Sequence, residues 1–285
     1  MDEGQGRARG RAQGPDAGRG AGRGRPQALT AATPARGHER RVGLARALSK
    51  HGIASRTQAA AWIRAGRVEV DGRCVRDPEH PTTAGSRIRM DGQPLEALQP
   101  PRRYLMLNKP RGLVTTACDE RGRDTVYRCF DGAGLGWIAP VGRLDKASEG
   151  LLLFSNDPQW AARITDPATG PHKIYHVQVD GIPDAGVLAA MRAGVDVAGE
   201  PLAVVAVRVL RTGTKQAWLE IVLDEGRNRH LRRLLQACGF AVRRLLRVAI
   251  GPLPLGTLQK GRWRALTPQE VAALAGGHWP AGNPG

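Results

Sequence analysis

The chain has 285 residues, 41% of them apolar and 24% charged, enough for two or three small domains with buried cores. Lys and Arg number 43 against 26 Asp and Glu, a formal net charge of +17. That excess favours a polyanion partner, because each phosphate contact releases counterions; the bland alternative is a basic enzyme whose charge only aids solubility. No run reaches the roughly 18 apolar residues of a membrane span, and Met1–Gly10 has no apolar signal core, so a cytoplasmic protein is expected, neither membrane-bound nor exported. Cys74, Cys118, Cys129 and Cys238 are scattered with no CxxC pair, which predicts reduced thiols and argues against a disulfide framework or a zinc site.

Residues 1–40 hold nine Gly, eight Arg, no Lys and no aromatic residue. Such a segment cannot bury enough apolar surface to offset its ordering entropy, so a disordered tail is expected, serving either as an RNA-tethering arm or as a passive solubiliser. Residues 41–99 read as a compact module. Leu44 and Leu48 share a helical face that Gly52 stops, and Ser55 caps a second helix with Ala59, Trp62 and Ile63 as its apolar stripe. Val68 and Val70 then alternate, Asp71-Gly72 turns, and Cys74-Val75 closes a hairpin. Arg46, Lys50, Arg56, Arg64 and Arg67 occupy the polar faces, a set suited to an RNA phosphate backbone or to plain solvation.

After the prolines 94, 100 and 101, residues 102–276 mix strands and helices, and 277–285 read as a second disordered tail. Strands are predicted at Tyr104–Leu107, Leu113–Thr116, Leu151–Phe154, Ile174–Val179, Ala203–Leu210 and Ala217–Leu223. Asp157-Pro158, Asp184 and the capping box Thr267-Pro268-Gln269-Glu270 mark helix starts. Hairpin-like spacing with few long crossovers predicts an α+β fold around a largely antiparallel mixed sheet with flanking helices.

Three segments carry candidate chemistry. In Val141–Phe154, Asp145 lies in a Gly-bounded loop two residues after Arg143 and just before an apolar strand, as a catalytic carboxylate or a structural ion pair. In Asp224–Leu235, Leu231, Leu234, Leu235 and Cys238 face a core, while Arg229, Arg232 and Arg233 fall opposite. Between Gly226 and Gln269 ten Lys or Arg residues occur and no acid, which reads as a nucleic-acid surface; Arg227 could instead turn inward to a carboxylate. In His172–Val179, Tyr175 shares a strand face with Val177 and Val179, either as a base-stacking platform or as a core residue. His172 and His176 stand too far apart along a strand to hold a metal. Phosphate-loop, dinucleotide and nucleophile-elbow motifs are missing, and no second carboxylate is placed for glycoside hydrolysis.

The segment LARALSKHGIASRTQAAAWIRAGRVEVDGRCV resembles the S4 RNA-binding module. Behind it, YLMLNKPRG, GRLDKASEGLLLFSND, KIYHVQV, EGRNRHLRRL and GRWRALTPQEV in that order resemble the RsuA-type ribosomal RNA pseudouridine synthases, over roughly residues 42–275. The resemblance implies isomerisation of uridine to pseudouridine in ribosomal RNA, by a monomer needing no cofactor or metal, with the large-subunit 23S RNA favoured over 16S. Asp145 matches the essential aspartate of that family, Tyr175 the tyrosine stacked on the target base, and Arg227 the basic residue paired with the aspartate. Arg143 aligns with the arginine linked to nucleotide flipping and Leu246 with an apolar residue of the base pocket. Ser148 stands where many relatives have threonine, and the Gly/Arg arm has no counterpart. The reaction asks for one positioned carboxylate, as a nucleophile or as the group that stabilises or deprotonates an intermediate, and for a base already out of its stack. The rival is a non-catalytic RNA-binding or ribosome-assembly protein that keeps the fold.

Overall fold

A computed structural model of the chain describes residues 41–117 and 119–277. The expected N-terminal tail, Cys118 and nearly all of the expected C-terminal tail lie outside these residues. The first part contains β1 (Val42–Gly43), α1 (Leu44–Lys50), α2 (Arg56–Arg64), β2 (Val68–Val70), β3 (Arg73–Val75), β4 (Pro81–Thr82), β5 (Ile88–Met90) and β6 (Gln93–Pro94). Local chemistry sets most of its boundaries. The Ser55 hydroxyl accepts the Gln58 amide at 3.1 Å and starts α2, while Asp71 and Gly72, at φ 52° and 81°, form the tight turn between β2 and β3. The sheet β3-β2-β5-β6 packs Val68, Val70, Ile88 and Met90 against Leu44, Leu48, Ala59 and Ile63 of the two helices. Trp62 departs from the expected stripe: it is only half-buried, and its ring lies under the Arg67 guanidinium, 5.4 Å from the centroid.

The second part is built on β7 (Tyr104–Lys109), β8 (Ala139–Val141), β9 (Glu149–Ser155), α3 (Pro158–Thr165), β10 (Lys173–Asp180), α4 (Ala185–Ala193), β11 (Val195–Val197), β12 (Glu200–Leu202), β13 (Ala206–Thr212), β14 (Gln216–Leu223), α5 (His230–Ala237), β15 (Val242–Ile250), β16 (Leu253–Pro254), β17 (Trp263–Ala265) and α6 (Pro268–Ala275). Nine strands form one sheet with the main order β13-β14-β10-β15-β9-β7-β17, confirming the α+β class with antiparallel pairing nearly throughout. Among its ladders only β15 with β9 is parallel, at Leu246 beside Glu149 and Arg247 beside Gly150. β9 is buried along its whole length because both faces are covered. Leu152 and Phe154 enter one core and Leu151 and Leu153 the other, which explains the unbroken apolar run. Gly150 is required at the β9–β15 contact: its φ is 101°, and a Cβ there would lie 2.2 Å from the Arg247 carbonyl oxygen.

The helix starts read from sequence are present. Asp157 accepts the amides of Gln159 and Trp160, Asp184 accepts that of Val187, and Thr267 with Glu270 closes a reciprocal capping box. Two strand expectations need correction, and one strand lies outside them. Leu113–Thr116 forms only a bridge, Val114 to Thr125, and Thr115 turns its hydroxyl to the loop before β9. Ala203–Leu210 starts late, at Ala206, because Glu200–Leu202 pairs with Val195–Val197. The nine-residue β15 forms where VRRLLRV reads as a charged segment.

Candidate active site

Asp145 lies in the loop between β8 and β9, and four hydrogen bonds from two segments, residues 109–115 and α5, fasten that loop. Thr115 Oγ1 donates to the Leu144 carbonyl at 2.7 Å, the Gly112 amide to Lys146 at 2.8 Å, Arg232 Nη2 to Ala147 at 3.1 Å, and Lys109 Nζ to Ser148 at 2.9 Å. A carboxylate held through the backbone on both sides keeps its position while its side chain, 36% exposed, lines a pocket. Lys109 is fully buried at the end of β7; burial lowers its pKa to about 8 against the attraction of Asp145 and Glu149.

The pocket beside Asp145 has a volume of about 80 Å3 and is lined by Arg143, Tyr175, Leu245, Arg227, His230 and Arg232 among others. Tyr175 is 8% exposed and shares its face of β10 with buried Val177 and Val179, so it is at once a core residue and a pocket wall. Burial holds His230 below the ordinary imidazole pKa. The cation nearest the aspartate is Arg232, whose Nε lies 4.0 Å from Asp145 Oδ2. Burial and the neighbouring Arg229 work against the Arg232 charge, and Asp145 favours it.

Several sequence assignments change here. Arg227 reaches the pocket rim but does not pair with Asp145. Its Nε donates to Glu225 at 2.7 Å, and its Nη1 donates to Glu200 at 3.3 Å and to the Pro201 carbonyl at 3.0 Å. The left-handed backbone of Arg229, φ 50°, redirects the chain into α5 and leaves Arg227 on the β12 side, while Arg232, one turn into the helix, meets the aspartate. Leu246 does not line the pocket. Leu245 does, because Leu245 pairs with Val177 on the Tyr175 face and Leu246 packs in the opposite core over Gly150. Of the three arginines expected on an open nucleic-acid surface, Arg229 is exposed, Arg232 is 13% exposed at Asp145, and Arg233 pairs with Glu200 at 2.6 Å. Arg67 is likewise held, by Asp91 at 3.0 Å, whereas Arg46, Lys50, Arg56 and Arg64 are exposed. Arg143 is exposed beside the pocket. Sequence reasoning missed Lys109, Thr115 and Leu245; a lysine closing the apolar strand YLMLNK was the one visible signal.

The family model described as S4 domain matches residues 42–88, and that described as RNA pseudouridylate synthase matches residues 103–237. An uncharacterized RNA pseudouridine synthase of Mycobacterium tuberculosis is 37% identical over 253 residues, covering 85% of this chain and 97% of its own. The chain belongs to the RNA pseudouridine synthases. The RsuA-type resemblance holds, and this synthase is an isomerase that converts uridine to pseudouridine in RNA, which sets aside a non-catalytic RNA-binding protein. The ribosomal large subunit pseudouridine synthase B of Bacillus subtilis is 33% identical over 233 residues, covering 81% of this chain and 94% of that protein. A crystal structure of a pseudouridylate synthase superposes with a TM-score of 0.58 at 29% identity, over 82% of this chain and 99% of that one. Among the described residues no helix is long and apolar enough to cross a membrane.

Proposed function

We propose that this synthase modifies ribosomal RNA, the large-subunit 23S RNA in preference to 16S, with Asp145 as its essential carboxylate. The observation that carries this reading is the meeting of Asp145, Tyr175 and Arg232 at one pocket. In the reaction the N1–C1′ bond breaks, the uracil turns, and C5 bonds to C1′ while C5 gives up a proton and N1 gains one. Asp145 serves the sugar carbon, Arg232 holds it in place from 4.0 Å away, and the Tyr175 ring holds the detached base during its turn. Arg143 takes part in drawing the nucleotide out of its stack, a cost of a few kcal/mol that basic surfaces offset through the phosphate backbone. Residues 41–99 act as the RNA-binding part and 102–276 as the catalytic part of a cytoplasmic monomer that needs no cofactor. The Bacillus subtilis relative, a ribosomal large subunit pseudouridine synthase, supports the large subunit.

Pseudouridine mapping of ribosomal RNA tests this, in cells lacking the protein and complemented with wild type or Asp145→Asn. One 23S position restored by wild type alone is the expected outcome. Equal rescue by both forms overturns the role of Asp145, and a restored site in 16S or in another RNA overturns the substrate.

A further inference from the structure

A second cavity, of about 470 Å3, adjoins the base pocket and shares Arg143, Tyr175, Gly226 and Arg227 with it. Its inner wall carries two cations that no carboxylate among the described residues neutralises. Arg247 faces Tyr175 across the β10–β15 ladder and is only 5% exposed. Its Nε donates to the Leu151 carbonyl at 2.7 Å, its Nη2 has no hydrogen-bond partner, and it forms no ion pair among the described residues. Lys173, two residues before Tyr175, also lines the cavity, and among the described residues its Nζ donates only to the backbone carbonyl of Asp224 at 3.0 Å. The acids on this wall do not balance the pair. Glu225 is taken by Arg227, and exposed Asp224 attracts Lys173 without an ion pair.

A buried arginine without a carboxylate is costly unless an anion completes it, and a second cation facing it raises that cost. Burial and the nearby Arg247 bring Lys173 down to about 8, the direction expected of two cations awaiting an anion. We propose that this cavity is a phosphate subsite, in which Arg247, Lys173 and Arg143 hold the phosphodiester of the nucleotide adjoining the target uridine. The inference rests on the RNA-modifying reading of the neighbouring pocket. It assigns to the two cavities different parts of one strand: the base enters beside Asp145, and the backbone is clamped on the far side of Tyr175. Clamping one phosphate fixes the register of the flipped nucleotide without reading its sequence.

The test uses the full chain labelled with 15N-arginine and inorganic phosphate as the probe. A saturable shift of the Arg247 Nε signal is expected, identified by its loss in Arg247→Gln and weakened several-fold in Lys173→Gln. On unmodified 23S and 16S transcripts, Lys173→Gln is expected to raise KM roughly tenfold with kcat little changed, and phosphate to compete with RNA. A flat titration, or a Lys173→Gln protein with wild-type KM, overturns the subsite even if Arg247→Gln fails to fold. Phosphate that binds without competing with RNA shows a free-anion site and overturns the phosphodiester assignment. Saturable binding by an enzyme that modifies no transcript keeps the anion site and sinks the ribosomal reading instead, so the two failures are distinguishable.

Discussion

In α1 and α2, Arg46, Lys50, Arg56 and Arg64 stand exposed, and none has an ion pair among the described residues. Between Arg227 and Arg264 the density of cations is similar, yet most of them meet acids from distant elements. Arg233 reaches Glu200, Arg243 reaches Asp180, Arg244 and Lys260 converge on Glu149, and Arg264 pairs with Glu270. A run of positive charge in sequence is therefore not the same as positive charge available to RNA. Neutralisation depends on which acids the sheet brings alongside, and β15 lies between two strands that each contribute one. Among the described residues, the cations of the second region without an ion pair are Arg229 at the pocket rim, Arg247 on the wall of the adjoining cavity and exposed Arg262, and Arg143 and Lys173 join the first two from other segments.

The sharpest way to break this contrast is Arg232→Gln. The sequence places Arg232 with its neighbours on an RNA surface, but the fold places it 4.0 Å from Asp145. A loss of about 10²–10³-fold in kcat is expected, the scale of removing one preorganised electrostatic contact at a reacting centre. RNA affinity by filter binding should stay near wild type. A variant that loses affinity and keeps kcat would return Arg232 to the surface its sequence suggested.

Glu149→Gln probes the structural half of the comparison. Glu149 is 3% exposed and accepts from Lys260 at 2.6 Å and from Arg244 Nε and Nη2 at 3.2 Å each. Burial opposes its ionisation, but these hydrogen bonds outweigh burial and hold its carboxyl below the ordinary glutamate value. Stability from this group is thus complete above the ordinary value and lost as pH falls through the lower native one. Replacement is expected to cost about 2 kcal/mol at pH 7, the scale of disturbing a buried hydrogen-bonded charge. The deficit should shrink as both proteins approach pH 3, which urea unfolding at several pH values will read. An equal deficit at every pH would assign the loss to packing, not to charge.

How far the sequence could be read follows from the range of each interaction. Helix starts at Ser55, Asp157, Asp184 and Thr267 were legible because cap and amide lie within three residues. The Asp71-Gly72 turn and the single-face alternation of β10 are equally local. β15 was not legible: two of its arginines, Arg243 and Arg244, are matched by Asp180 and Glu149, far away in sequence, so its charge did not mark a solvated loop. The exchange of Leu246 for Leu245 is a matter of parity, because strand alternation gives two faces and only the pairing with Val177 says which one holds Tyr175. Likewise Asp145 stood out by motif, while its supports Lys109, Thr115 and Arg232 come from two segments far from it in sequence, residues 109–115 and α5.

The smallest expected effects, and the most direct test of availability, come from the open cations themselves. Arg46, Lys50, Arg56 and Arg64 replaced together by Gln should leave the unfolding midpoint nearly unchanged, since exposed charges without partners contribute little to the fold. The slope of log affinity against log salt should flatten by about 0.7–0.9 for each of these residues that contacts a phosphate. The paired cations Arg243, Arg244 and Arg264, replaced as a set, should do the reverse, lowering stability while changing the slope less. If the second set flattens the slope as much as the first, RNA must exchange places with Asp180, Glu149 and Glu270 on binding. The ion pairs around β15 would then be a guarded surface that opens to its substrate, and the excess of arginine in that segment would have a function that pairing in the free enzyme hides.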